Sequence, residues 1–321
     1  MLSEPKRLVF EIPSPLGGGL GWGQSGEEEN VNVEQASPPP SLPPTGGGVH
    51  RVVCYQWGND NAPRTVLCVH GLTRNGRDFD FLSRALVENY RVICPDMPGR
   101  GESDWLANPL GYNYPAYVAD MGFIIKSLGL TQVDWVGTSM GGIIGMMMAN
   151  AVPGLIRALV LNDIGCVLSA AGIKRIMSYP ASKNPCPSRA EAEATMRERC
   201  ATFGIREEAH WQHMFTYGLQ EKNGCWRAAY DPAIMAAYST DRDKEAAVAD
   251  LDLWGLWEAV TKIPVLLIRG AESDLLSRET ALAMQSRHPN LTLREIPGCG
   301  HAPALMEDSQ IMMVKDWLLK R

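Results

Sequence analysis

The stretch Val133-Asp134-Trp135-Val136-Gly137-Thr138-Ser139-Met140-Gly141-Gly142 decides how the rest of the chain reads. A β-branched and aromatic run stops at a glycine, and the small and apolar segment Gly141 to Ala151 that follows has helical character. Ser139 therefore stands where a strand becomes a helix. So sharp a turn strains the serine backbone, and the spacing Gly137-x-Ser139-x-Gly141 leaves room for it. The strain holds the hydroxyl clear of the sheet, while the first amides of the new helix lack intrahelical partners and face whatever the serine attacks. A serine in such a pattern also suits a plain helix N-cap. The remaining chain must supply a base, an acid and a second oxyanion donor.

Outward from this turn, strand-like and helix-like segments alternate from about Val49, which predicts an α/β protein with a mostly parallel sheet covered by helices on both faces. The predicted strands are 51–57, 65–70, 91–95, 133–136, 158–162, 263–269 and 291–296; helices are predicted over 78–88, 114–127 and 309–319. Between about Ile164 and Asp252 the strand rhythm disappears and segments rich in Ala, Glu, Arg, Met and Trp take over, the signature of a helical cap over the sheet's carboxyl edge. The expected organisation is thus a core of residues 49–163 and 253–321 with a cap of residues 164–252. Residues 1–48, with Gly17-Gly18-Gly19, Glu27-Glu28-Glu29 and Pro38-Pro39-Pro40, are expected to be a disordered, passive extension.

With 321 residues, 45% hydrophobic and 21% charged, the chain can bury one large core. A net charge of -6 without a basic stripe argues against nucleic acid as a partner. No apolar run is long enough to span a bilayer, and no secretory leader is legible, so no membrane association and a cytoplasmic location are expected. The eight cysteines are irregularly spaced without a C-x-x-C pair, which predicts buried free thiols.

A serine hydroxyl needs a base, and the base an orienting carboxylate. His301, in Gly298-Cys299-Gly300-His301-Ala302-Pro303 beyond the last predicted strand, is the candidate base. Asp274, in Arg269-Gly270-Ala271-Glu272-Ser273-Asp274, follows the penultimate strand and is the preferred acid; Asp163, at the end of the strand 158–162, is the alternative. Glu272 is expected to face solvent. The loop His70-Gly71-Leu72 can bring the Leu72 amide opposite that of Met140 to form an oxyanion hole.

Taken together, His70-Gly71, Asp96-Met97-Pro98-Gly99-Arg100-Gly101-Glu102-Ser103, Gly137-Thr138-Ser139-Met140-Gly141-Gly142, Asp274 and Gly300-His301 resemble the α/β-hydrolase superfamily over about residues 49–321. In detail the chain is similar to the carboxylesterase, enol-lactonase and meta-cleavage-product hydrolase branch, with a helical cap after the sixth strand. The resemblance implies a Ser139-His301-Asp274 triad, no cofactor and a mainly structural Asp96 to Ser103 loop. The dehalogenases and epoxide hydrolases of this fold carry an aspartate at the elbow, so Ser139 argues against both.

The expected activity is hydrolysis of a small carboxylic ester or lactone through an acyl-enzyme. The competing readings are carbon–carbon bond hydrolysis of aromatic ring-cleavage products, and a non-catalytic protein that binds a small ligand on the same fold. Trp211, Phe215, Tyr217, Trp226, Trp254, Trp257, Met177 and Met214 are expected chiefly in the core, with some roofing an apolar pocket. His210 and His213 read as a surface pair rather than a metal site, Arg74 and Asn75 as solvated loop residues, and Met146-Met147-Met148 as core. Oligomeric state is not legible in the sequence.

Overall fold

Why the middle of this chain becomes a sheet is visible in how its strands are buried. The computed structural model describes residues 4–13, 32–33, 48–178, 186–238 and 249–321. Its main sheet comprises β1 (Lys6–Pro13), β2 (Asn32–Val33), β3 (Val49–Trp57), β4 (Thr65–Val69), β5 (Arg91–Pro95), β6 (Val133–Thr138), β7 (Ile156–Asn162), β8 (Val265–Gly270) and β9 (Leu291–Ile296). The strands lie in the order β9-β8-β7-β6-β4-β5-β3-β1-β2. From β5 to β9 every pairing is parallel, whereas β3 pairs antiparallel with both β5 and β1. β4, β8 and nearly all of β6 and β7 are buried, as expected of strands covered on both faces.

Successive residues of each strand feed opposite cores. Leu67, Val69, Trp135, Leu159, Leu161 and Leu267 join the layer built with α2 (Tyr114–Ser127) and α3 (Met140–Ala151). Val66, Cys68, Val136, Val160 and Leu266 join the layer built with α1 (Asp80–Leu86) and α10 (Asp308–Leu319). Each such aliphatic side chain contributes about 1.5–3 kcal/mol by leaving water. Met146 and Met148 are fully buried on α3, as the sequence reading expects. Cys54, Cys68, Cys94, Cys166, Cys200 and Cys299 are buried free thiols; Cys186 and Cys225 are partly exposed.

One expectation fails at the N-terminus. Residues 1–48 are not a uniform disordered extension, because Lys6–Pro13 pairs along its whole length with β3, from Lys6 opposite Gln56 to Pro13 opposite Val49. Leu8, Phe10 and Ile12 alternate inward and are 2–3% exposed, so the strand completes the apolar layer over α2. The pairing of Asn32 and Val33 with Val9 and Leu8 extends the same edge. The rest of the Gly- and Pro-rich tract lies outside the described residues.

Between β7 and β8 the chain leaves the sheet. If two-residue β2 is set aside, β7 is the sixth strand, and the insertion follows it. It carries α4 (Ala170–Met177), α5 (Arg189–Arg199), α6 (Glu208–Gly218) and α7 (Ala233–Tyr238), followed by α8 (Trp254–Trp257) and then β8; α9 (Arg278–Ser286) follows β8. It is not wholly helical: Leu219–Lys222 and Cys225–Ala228 form an antiparallel hairpin, and Val167–Leu168 pairs with Leu251–Asp252. Ala192, Met196, Trp211, Met214 and Phe215 from α5 and α6 form a separate apolar cluster that Met306 of the core joins.

Candidate active site

The elbow follows from close packing. A Cβ on Gly141 would lie 2.0 Å from the Val69 carbonyl oxygen, and one on Gly137 would lie 2.4 Å from that of Gly141, so no side chain fits at either position without moving backbone. This approach lets α3 begin directly against β4 and β6. Ser139, between them, has φ 51° and ψ -114°, a conformation that non-glycine residues seldom adopt and that marks stored strain. Its amide is anchored to the Asn162 carbonyl oxygen at 3.0 Å.

His301 arrives on the loop after β9. The segment 201–203 of the insertion grips that loop: Gly300 N–H donates to the Thr202 carbonyl at 2.7 Å, and Ala304 N–H to that of Phe203 at 3.1 Å. Asn162 ties the same loop to the elbow, its Nδ2 donating to Pro303 O at 2.8 Å and to Thr138 Oγ1 at 3.1 Å. The result is a distance of 2.9 Å from His301 Nε2 to Ser139 Oγ.

The other ring nitrogen corrects an expectation. His301 Nδ1 lies 2.8 Å from Asp163 Oδ2, whereas Asp274 sits in an exposed bidentate pair with Arg175 of α4. Asp163 is 0% exposed and Asp274 is 41% exposed at the side chain. The physical cause is local backbone geometry. Asp163 N–H is held by the Ile268 carbonyl at 2.8 Å, and its φ of 54° turns the side chain inward. There Oδ1 accepts from Gly270 N–H at 2.7 Å and Oδ2 accepts from Ser273 Oγ at 2.6 Å. Both carboxylate oxygens thus have donors inside the protein, and none of them is a cation. Because the carboxylate only accepts, Nδ1 carries the imidazole proton and Nε2 is left to accept from the serine. By contrast, the Arg175 guanidinium holds the Asp274 carboxyl below its ordinary range.

The loop after β4 positions the Leu72 amide through its peptide partner. The Gly71 carbonyl accepts from His70 Nδ1–H at 2.7 Å and from Arg74 N–H at 3.1 Å. Fixing that oxygen aims the trans Leu72 N–H the opposite way. His70 Nε2 in turn accepts from Met97 N–H at 2.9 Å, and burial lowers the His70 pKa to about 3, so the ring is neutral and the tautomer fixed. The buried Arg100 holds the next carbonyl, that of Leu72, at 2.9 Å and reaches the Met140 sulfur at 3.5 Å. Met140 supplies the first amide of α3, where no intrahelical acceptor exists.

A pocket opens on the serine, lined by Leu72, Ile176, Phe203, Met214, Met306 and polar Arg74 and Arg175 among others. Of the insertion residues singled out by sequence, Met214 lines it, while Trp211 and Phe215 stack 5.9 Å apart in the insertion's own apolar cluster. Ile176, Phe203, Met306 and Asn162 carry no signal in the sequence beyond composition, whereas Arg100 lies in the Asp96 to Ser103 motif without a role being assigned to it. Arg74 and Asn75 are buried rather than solvated: Arg74 forks onto Asp78 at 2.6 and 2.8 Å, and Asn75 Nδ2 donates to the Tyr217 carbonyl at 2.7 Å. His210 and His213 are likewise not a surface pair. They pack edge-on against Phe81 where α6 meets α1, His210 meeting Glu307 at 3.2 Å and His213 the Arg77 carbonyl at 2.8 Å. Among the described residues no group of three or more His, Cys, Asp or Glu side chains could hold a metal ion, and no helix is long and apolar enough to cross a membrane.

The sequence pattern of the family described as "Alpha/beta hydrolase family" matches residues 66–310. The chain belongs to the α/β-hydrolase family. Among relatives of this hydrolase is the 3-hydroxybutyrate-oligomer hydrolase of Cupriavidus necator, 39% identical over 268 residues that cover 82% of this chain and 91% of that one. Of solved structures, a putative hydrolase from Rickettsia typhi superposes with TM-score 0.80 at 30% identity, covering 98% of this chain and 99% of the other. An α/β hydrolase from Novosphingobium aromaticivorans gives TM-score 0.75 at 32% identity over 85% and 95% of the two chains.

Proposed function

We propose that this hydrolase cleaves short carboxylic esters through an acyl-enzyme on Ser139, with His301 as proton shuttle and Asp163 as the acid that orients it. The observation that carries the reading is the continuous chain from Ser139 Oγ through the imidazole, at 2.9 Å, to a buried carboxylate at 2.8 Å. Nε2 takes the hydroxyl proton as Oγ attacks the ester carbonyl, and Asp163 stabilises the imidazolium. The amides of Leu72 and Met140 receive the developing oxyanion, each worth about 3 kcal/mol in the transition state. The imidazolium then gives its proton to the leaving alcohol, and water, activated by the same nitrogen, releases the acid.

The segment 164–252 acts as a cap whose Ile176, Phe203 and Met214 give the site an apolar wall suited to an aliphatic acyl chain. The name of the Cupriavidus necator relative makes oligomers of 3-hydroxybutyrate the first natural esters to try. A fluorophosphonate probe should label the wild type and leave Ser139→Ala unlabelled, and the variant should lose p-nitrophenyl butyrate turnover with an unchanged circular dichroism spectrum. Labelling of the variant, or retained turnover, would remove Ser139 from the nucleophile's role.

A further inference from the structure

We propose that Arg175 is a specificity residue that binds a free carboxylate on the substrate, exchanging Asp274 for it. The inference rests on the ester-hydrolase reading and names a chemical class within it: esters of hydroxy acids that keep an ionised carboxyl end.

Two arginines line the pocket that opens on Ser139, and their surroundings separate them. Arg74, 9% exposed, forks onto Asp78, 18% exposed, in the next turn, and its guanidinium also lies against the sulfur atoms of Met196 and Met214. Breaking that pair would strand a buried charge, so Arg74 is a fixed part of the wall. Arg175 is different. It projects from the last turn of α4 and is 32% exposed against 41% for Asp274. An ion pair open to water is weak, and exchanging one carboxylate for another across the same planar fork costs little.

The mounting is rigid on both sides. Ser169 N–H, at the start of α4, donates to the Leu275 carbonyl at 3.0 Å, and a Cβ on Gly172 would meet the Asp274 carbonyl oxygen at 2.7 Å. The helix bearing Arg175 is thus pressed onto the loop bearing Asp274, and Arg175 lines the same pocket as the serine. A hydroxy-acid oligomer is a polyester with one carboxylate end. Seating that end on Arg175 would fix which ester carbonyl meets Ser139, so cleavage would count units from the acid terminus.

The test compares the linear dimer of 3-hydroxybutyrate with its methyl ester, which differ in one negative charge. In the wild type, kcat/KM for scission of the internal ester should be at least tenfold higher for the acid. Arg175→Gln should raise KM for the acid dimer tenfold or more relative to its KM for the methyl ester, with kcat moving less than KM; Asp274→Asn should shift the same ratio in the opposite direction. Should Arg175→Gln fail to fold by circular dichroism, Arg175→Lys and a salt titration of the wild type read the same ratio, since screening should weaken only the acid dimer. A wild type that cleaves both dimers equally, or an Arg175 variant that leaves the ratio unchanged, overturns the inference and leaves the ester-hydrolase reading standing. A wild type that cleaves neither dimer nor p-nitrophenyl butyrate overturns both.

Discussion

The loops after β7 and β8 each present an aspartate at the same edge of the sheet, and they treat it in opposite ways. After β7, one residue suffices: Asp163 follows the strand immediately, is held left-handed, and its oxygens take up Gly270 N–H, Ser273 Oγ and the imidazole of His301. After β8 the chain makes a longer turn, and Asp274 reaches outward to a guanidinium on the cap. Only the first carboxylate is desolvated and aimed. An acid that must orient an imidazole needs a fixed bearing more than a nearby charge, and a short connection from a buried strand provides it.

The sharpest way to break this contrast is to neutralise each acid in turn. Asp163→Asn should lower kcat on p-nitrophenyl butyrate by roughly 10⁴-fold, the loss that the same change causes in another triad hydrolase. Asp274→Asn should cost less than tenfold in the same assay. If the two effects are reversed, Asp274 is the acid in solution and the 2.8 Å contact of Asp163 is structural. A smaller effect sharpens the picture: Ser273→Ala deletes one of the donors to Asp163 and should lower kcat about tenfold, corresponding to one hydrogen bond to a charged group, with no change in secondary structure.

A third strand end supplies the smallest and most specific test. Asp96, just beyond β5, is also fully buried and accepts from Gly76 N–H, Glu102 N–H and Tyr55 Oη, but burial outweighs these donors and pushes its pKa up to about 7. A carboxyl raised in the folded state stabilises the protein fully below its unfolded value of about 4, and that contribution is lost as pH rises through the folded value. The melting temperature of the wild type should therefore fall relative to that of Asp96→Asn as pH increases from about 4 to about 8. Parallel curves for the two proteins would mean that Asp96 keeps an ordinary pKa.

Much of this was legible before any coordinates. The strands Arg91–Pro95 and Leu291–Ile296 and the helix Tyr114–Ser127 have the limits that periodicity predicts, and the elbow and His301 stand together as the motif spacing suggests. Which aspartate faces His301 is not legible. Asp163 and Asp274 both end strands on one edge, and what separates them is a φ angle and a counterion 99 residues away in sequence, neither of which spacing encodes. β1 was missed for another reason. Leu8, Phe10 and Ile12 do alternate, but the Gly- and Pro-rich tract that follows dominates the composition of the first 48 residues and masks a short edge strand. The packing of the insertion is not legible either, because helices joined by long connections leave open which faces meet, so Arg175 and Phe203 emerge only with the fold.

The register of β1 on β3 carries a practical consequence. Pro13 and Val49 are directly paired, so the chain leaves β1 and enters β3 at neighbouring points on the side of the sheet remote from β9. Entropy penalises lengthening a connection between two such points only logarithmically, at about 0.6 kcal/mol for each doubling. That junction is therefore a natural port for grafting: a foreign peptide or affinity handle spliced there should be displayed at the far margin of the molecule without disturbing turnover.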